Sequence, residues 1–257
     1  AGISQPWPVS KSYQQKTLSK SLSTELDTLN SVAFVIVQHD SLVFEKYWDD
    51  YSDSSLSNSF SVAKSIVSLL TGIALQEGKI KSLDEPVADF LAQFSSGLKS
   101  KITIRHLLTM SSGTNWDESY SSPLSPTSEA YYGNDLMKTV CNVDVVKTPG
   151  TEWRYKSGDT ELLGLVLEKA TGKSLSNYAS EKLWKPIGAV HNALWSTDEK
   201  DGNEKAYCCF NTNARDFARI GQLYLDSGKW KGNQIVNATY VNESIQAVNI
   251  KDEEGND

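Results

Sequence analysis

The chain of 257 residues is 39% hydrophobic and 22% charged, which is ordinary globular usage and excludes a disordered or fibrous polypeptide. Its formal net charge of -7 gives no electrostatic basis for holding a nucleic-acid backbone or an anionic membrane. Nowhere do about 18 apolar residues run together, so no membrane span is expected, and the first residues lack the basic start and apolar core of a signal segment.

Residues 16–30 place Leu18, Leu22, Leu26 and Leu29 at helical spacing, which predicts an amphipathic helix. A β-hairpin follows. Residues 31–38 are rich in apolar and β-branched side chains, 42–48 alternate, and His39-Asp40-Ser41 is the turn. After a Ser/Asp-rich loop at 49–59, residues 62–75 are apolar round most of the helical circumference, as in a buried helix, and Gly78 is placed to end it. Between 80 and 200, helices and long loops predominate, punctuated by Pro86, Pro123, Pro126, Pro149 and Pro186. One helix is predicted from Thr160 to Ala170, capped by Ser157 or Asp159 and closed by Gly172. Another runs from Ala214 to Leu225, capped by Thr212 or Asn213 and closed near Gly228. Neither a repeat nor a linker divides the chain.

The cysteines are Cys141 and the adjacent Cys208 and Cys209. They are odd in number and lack C-x-x-C spacing, so neither a disulfide framework nor a zinc site is expected. His39, His106 and His191 lie far apart without an H-x-x-x-H pairing, and read as surface or hydrogen-bonded histidines rather than metal ligands. Thr171-Gly-Lys-Ser174 looks like the end of a phosphate-binding loop, but Leu167 stands where that loop needs its upstream glycine. Gly172 reads instead as a helix C-terminus.

Candidate chemistry begins at Ser61-Val-Ala-Lys64. At the start of a helix, residues three apart share a face, so the lysine amine can approach the serine hydroxyl. The helix N-terminus favours developing negative charge, and a backbone N–H there can donate to an oxyanion. A serine hydroxyl is a poor nucleophile until a base takes its proton, and an amine serves only where burial or neighbouring cations favour its neutral form. The apolar helix is expected to supply that burial. Ser96-Gly-Leu-Lys99 has the same spacing but lies in a Ser/Gly/Lys loop, where the lysine stays solvated and cationic. The alternative for Ser61 and Lys64 is a capping serine and a snorkelling lysine.

A second proton-handling group is needed for the leaving group, and a tyrosine beside a lysine can serve. Tyr155-Lys-Ser157 is the candidate. Tyr120-Ser-Ser122, Tyr178-Ala-Ser180 and Tyr240-Val-Asn242 fit the same Y-x-[S/N] pattern. Tyr155 is distinguished by the turn and extended loop from Pro149 to Gly158 that lead into a capped helix, whereas Tyr178 reads as a packing residue.

Four blocks occur in order: Phe60-Ser-Val-Ala-Lys-Ser65, Ile104-Arg-His-Leu-Leu-Thr-Met-Ser-Ser-Gly113, Pro149-Gly-Thr with Tyr155-Lys-Ser157, and Ala214-Arg-Asp-Phe-Ala-Arg-Ile-Gly221. Together they resemble the class C β-lactamases and penicillin-recognising serine hydrolases. The last block, with Cys208-Cys-Phe before it and Tyr224-Leu-Asp-Ser-Gly-Lys-Trp230 after it, is most similar to the 6-aminohexanoate-dimer hydrolase branch. The resemblance implies an α/β (α+β) fold: a β-lactamase/DD-peptidase-like antiparallel sheet flanked by helices, plus a helical lobe, with the active site between them. On that reading 1–257 is a single domain, in which 1–60 and 201–257 form the sheet-side lobe and 61–200 the mainly helical one. By the same likeness Ser61 is the nucleophile, Lys64 its base or the group tuning the base, and Tyr155 the acid that protonates the departing group. Ser157 is expected to face the cleft. In the amidase branch the loop after Gly113 lines the substrate pocket, so Trp116 and Tyr120 are pocket candidates, with ordinary loop packing as the alternative.

The family also carries a third element, K-[TS]-G or a variant such as H-x-G, on a late strand. The last residues offer none, and Lys156-Ser-Gly158 spells it only where it overlaps the tyrosine motif. About three strands are expected beyond this point, so the C-terminal strands of the sheet read as missing. Two functions follow. One is a cofactor-free, metal-free hydrolase of a small-molecule amide, lactam, ester or short peptide. The other is a non-catalytic relative that recognises penicillin- or peptidoglycan-like ligands. A mature, periplasmic or secreted form is favoured over a cytoplasmic one, and the oligomeric state is left open.

Overall fold

The computed structural model describes residues 3–252 and 254–256. Helix α1 (Lys20–Thr28) is capped by Ser19, whose hydroxyl accepts the Leu22 N–H, and none of its residues is fully buried. Strands β1 (Ala33–Gln38) and β2 (Ser41–Tyr47) pair antiparallel, with Ala33 opposite Tyr47 and Gln38 opposite Ser41. The turn is the two-residue His39-Asp40, both at positive φ (50° and 57°), the geometry that matches the twist of a tight hairpin.

A short strand β3 (Ser57–Asn58) leads through a 3-10 turn (Phe60–Val62) into α2 (Ala63–Gln76). The apolar circumference of α2 is buried as its sequence predicts: Ile66, Val67, Leu69 and Leu70 have no exposed surface. Next come α3 (Ile104–Leu108), α4 (Pro126–Tyr132), α5 (Leu136–Cys141) and α6 (Ser157–Thr171). Helix α6 packs along α2 at the centre of the core. It begins one turn before the predicted Thr160, because a group outside the helix caps it, as described below. Its end is as expected, at Gly172 in the left-handed conformation (φ 68°).

Helix α7 (Leu175–Ala179) passes into a wider turn ending at Trp184. Strands β4 (Leu194–Trp195) and β5 (Phe210–Thr212) form with β3 an antiparallel sheet of order β3-β5-β4. Helix α8 (Ala214–Leu225) is capped by Asn213, which accepts the Asp216 N–H, and it packs on β1. A small hairpin, β6 (Lys229–Trp230) and β7 (Asn233–Gln234), precedes α9 (Ala238–Ser244). Tyr240 of α9 sits so close to α2 that a Cβ on Gly72 would fall 2.4 Å from its ring.

Two buried ionic centres tie these elements together. Glu45 of β2 accepts from Arg215 of α8 (2.8 and 2.5 Å), Tyr13 (2.6 Å) and Tyr47 (2.8 Å). Asp216 of α8 pairs with Arg219 at 2.7 Å and accepts the Val190 and His191 N–H groups, with neither side chain of the pair exposed. The Arg219 guanidinium lies against the rings of both Trp7 and Trp230, 5.1 and 5.2 Å from their centres, and the two rings meet edge to face at 5.4 Å. The Ala214–Gly221 block is therefore a fastening of the fold.

The cysteine expectation is corrected. Cys208 and Cys209 are bonded to each other, and Cys141 is free and buried. Spacing rules concern bridges that close loops between separated residues, and an adjacent pair lies outside them. Among the described residues no helix is long and apolar enough to cross a membrane, and no group of three or more His, Cys, Asp or Glu side chains could hold a metal ion.

Candidate active site

Ser61 occupies the 3-10 turn that opens α2, so its hydroxyl stands at the helix N-terminus and is exposed. Phe60, just before it, has φ 44°, a conformation that costs a non-glycine residue about 1–3 kcal/mol. The backbone entering that strain is held by two bonds: the Phe60 N–H donates to Asn58 Oδ1 (2.9 Å) and the Ser59 N–H to the Phe210 carbonyl of β5 (2.8 Å).

Lys64, one turn into α2, donates from Nζ to Ser61 Oγ at 3.1 Å and to the Tyr207 carbonyl at 2.9 Å. It is half-buried rather than enclosed, with Nζ 5.0 Å from the Tyr155 ring centre and 5.8 Å from that of Tyr207. Tyr155, 37% exposed, donates its hydroxyl to Ser61 Oγ at 2.7 Å. One serine oxygen thus lies between an amine and a phenol, open to a ligand.

The rival motifs go elsewhere. Lys99 reaches the Cys141 carbonyl (3.0 Å), not Ser96. Tyr178 is buried with its hydroxyl on Glu77 (3.1 Å), and Tyr240 is buried against Ser68 of α2 (2.8 Å). Tyr120 donates to Glu118 (2.7 Å), and local desolvation of the hydroxyl, on a ring that is itself mostly exposed, together with that carboxylate raises it to about 12.

Ser157 does not face the cleft. It has no exposed surface, donating its N–H to Glu118 Oε2 (2.7 Å) and its hydroxyl to Oε1 (2.6 Å). Trp116 is only 1% exposed; it packs beneath Gly158, where a Cβ would fall 2.4 Å from its ring, and donates its indole N–H to Glu118 Oε2 (2.9 Å). Packing in the loop, the alternative weighed for Trp116, describes its place. Tyr120 is 63% exposed and borders an open cavity of about 580 Å³ with Leu124 and Tyr132.

Glu118 is what the motif reading misses. Its two oxygens take four donors, from Trp116, Tyr120 and twice from Ser157. It also caps α6 from outside, satisfying a first-turn N–H that the helix itself leaves unpaired. This is why α6 starts at Ser157, two residues after Tyr155. The visible signal was weak: an acidic residue between two aromatic ones.

The Ser111–Thr114 segment after α3 is docked in a similar way. Ser112 donates from Oγ to Asp159 of α6 at 2.6 Å. Asp159 is fully enclosed, and burial raises its carboxyl to about 6, against the opposing pull of Lys156 and Ser112.

A family model described as Beta-lactamase matches residues 20–238. The chain is 25% identical over 236 residues to the 6-aminohexanoate-dimer hydrolase of Paenarthrobacter ureafaciens, an alignment covering 88% of this chain and 59% of that protein. It therefore spans about three fifths of the length of that curated relative. A solved structure from Bacillus anthracis, assigned as a 6-aminohexanoate-dimer hydrolase, superposes with a TM-score of 0.81 at 25% identity, covering 93% of this chain and 67% of that one. Another, assigned as a beta-lactamase of Bacteroides dorei, shares the fold with a TM-score of 0.73 at 22% identity, covering 89% and 70%.

Proposed function

The chain belongs to the beta-lactamase family, and from that membership we propose that it is a serine hydrolase working through an acyl-enzyme on Ser61. Membership implies serine-hydrolase-type chemistry on amide, ester or lactam bonds; the residues that carry it in this chain are our reading. One observation supports it most: Ser61 Oγ accepts from Lys64 Nζ at 3.1 Å and from Tyr155 OH at 2.7 Å, so groups able to receive and return its proton are both in reach.

On this reading Ser61 Oγ attacks the substrate carbonyl carbon while its proton passes to the Lys64–Tyr155 pair. The departing amine or alcohol takes a proton from Tyr155, leaving the acyl group on Ser61. Water then attacks the ester, giving one proton to the pair, which passes it to Ser61 Oγ as the bond to the acyl carbon breaks, and the acid leaves with the other. The N-terminus of α2 favours the oxyanion formed in each half. The chain spans about three fifths of the curated relative, and no K-[TS]-G-like element is invoked in this scheme. Linear amides resembling a 6-aminohexanoate dimer head the substrate panel, since the chain is similar to a hydrolase of that name.

The panel comprises that dimer, a fluorogenic ester, a chromogenic cephalosporin and a D-Ala-D-Ala peptide, each assayed against Ser61→Ala and Tyr155→Phe. Ser61→Ala is expected to abolish turnover, and Tyr155→Phe to lower kcat roughly 10²–10⁴-fold. If Ser61→Ala turns over every substrate as fast as the parent, the assignment is wrong.

A further inference from the structure

The geometry points to a positioning role for the Cys208–Cys209 disulfide: it fixes the Tyr207 carbonyl that holds Lys64 against Ser61. This rests on the reading of Ser61 and Lys64 given above. Two backbone carbonyls restrain the Ser61 turn: that of Tyr207 accepts from Lys64 (2.9 Å), and that of Phe210 accepts from the Ser59 N–H (2.8 Å). The two bonded cysteines are all that lies between them in sequence.

Bonding adjacent residues closes a small ring that contains their shared peptide, which removes most of the torsional freedom of that link. The Cα atoms remain 3.8 Å apart, the trans spacing, and the ring holds Cys209 at φ 65°, where a cysteine would otherwise rarely rest. The segment is also pinned from outside. Trp195 donates its indole N–H to the Cys208 carbonyl (3.0 Å), Asn211 its side-chain amide to the Cys209 carbonyl (2.9 Å), and the Ala206 N–H donates to Glu161 (2.7 Å). Both cysteines are nearly fully buried. Opening the ring frees Cys208 and Cys209 together: Cys209 can leave the left-handed region, and the Tyr207 carbonyl, which belongs to the peptide entering Cys208, turns with them. Lys64 then loses its second acceptor, and its approach to Ser61 is no longer set.

Reduction by an external dithiol breaks the Sγ–Sγ bond, places one hydrogen on each sulfur, and converts the dithiol into its own disulfide. The test measures Ser61 labelling by a fluorophosphonate, separating the maximal rate from the half-saturating concentration. It compares oxidised protein, dithiothreitol-reduced protein and a Cys208→Ser/Cys209→Ser variant. Alkylation under denaturing conditions, read by intact mass, counts the thiols. The oxidised chain should alkylate at Cys141 alone and the reduced chain at all of its cysteines.

The maximal labelling rate is expected to fall roughly tenfold to a hundredfold on reduction and in the serine variant, with half-saturation unchanged. Reoxidation should restore the parent, and dithiothreitol should leave the variant as it was. A role confined to general stability would move both parameters together. Equal maximal rates in all forms, or alkylation of every cysteine before reduction, would overturn the inference while leaving Ser61 as nucleophile. Absence of Ser61 labelling in every form would sink the underlying reading and this inference with it. Where dithiothreitol fails to reach the bridge, the serine variant decides; where the variant fails to fold, the reduced parent does.

Discussion

At the scale of single residues, Glu118 carries more of the site's geometry than its place in the sequence suggests. It offers two oxygens to four donors, an arrangement that a carboxylate can satisfy and an amide cannot. Glu118→Gln replaces one acceptor oxygen with a donor that faces the Ser157 and Trp116, or Ser157 and Tyr120, hydrogens. We expect a stability loss of about 1–3 kcal/mol in a denaturant titration, from donors left unpaired. We also expect a drop in kcat that exceeds any rise in KM, because Tyr155 is displaced while Ser61 and Lys64 keep their places. Unchanged kcat would show that Tyr155 is held without Glu118. That Ser61, Lys64 and Tyr155 lie together was legible because local spacing and context brought each forward. Glu118 was not, since its partners come from both sides of a loop and from a helix 39 residues on. Ser157 turns away from the cleft and Trp116 takes the packing alternative for the same reason: the motif locates a residue in the chain, not the direction of its side chain.

At the scale of the element, α6 carries an unusual load of buried carboxyls. Burial raises Asp159 to about 6, Glu161 well above its ordinary value, and Glu168, which also faces Glu204, to about 7. Groups with raised values favour the fold when protonated. Their contribution is complete below the unfolded values near 3.8 and 4.5 and is lost as pH rises through about 6 to 7. Glu45 and Asp216 act in the opposite direction. Burial would raise both, but Arg215, Tyr13 and Tyr47 at Glu45, and the Val190 N–H, Asn213, the His191 N–H and Arg219 at Asp216, hold them below the ordinary carboxylate range. Their contribution is lost as pH falls through those lowered values. The melting temperature is therefore expected to be higher at pH 5 than at pH 8, and Glu168→Gln should flatten that slope. A slope unchanged in the variant would remove Glu168 from the account. The helix itself was readable from its apolar spacing and Gly172. Its first turn was not, because the cap is supplied by Glu118 rather than by a residue at its own N-terminus.

At the scale of the molecule, the hairpin, α2 and α8 follow from periodicity and capping in the sequence, whereas the short strands β3, β4 and β5 do not. Pieces of two or three residues carry no period, and they exist because their partners bring them together. The Arg219 centre was equally hidden, since its aromatic partners Trp7 and Trp230 come from opposite ends of the described chain. Arg219→Ala would leave Asp216 buried without its countercharge, and a loss of about 3–5 kcal/mol is expected in chemical denaturation. A loss below about 0.5 kcal/mol, typical of surface substitutions, would show that the backbone donors suffice for Asp216.

The same centre sets an order of events during synthesis. The Gln5 carbonyl waits for Arg219 (2.6 Å), the Trp7 indole for the Arg215 carbonyl (2.8 Å), and the Gln5 side chain for Trp230 (3.1 Å). At about 5–20 residues per second, residues 5–7 leave the ribosome roughly 10–40 s before these partners exist. Throughout that interval Trp7 has nowhere to dock, and closing so long a loop is among the slower steps a chain can face. The Gln5–Trp7 segment, made before the partners that hold it, is thus among the last of these elements to find its place.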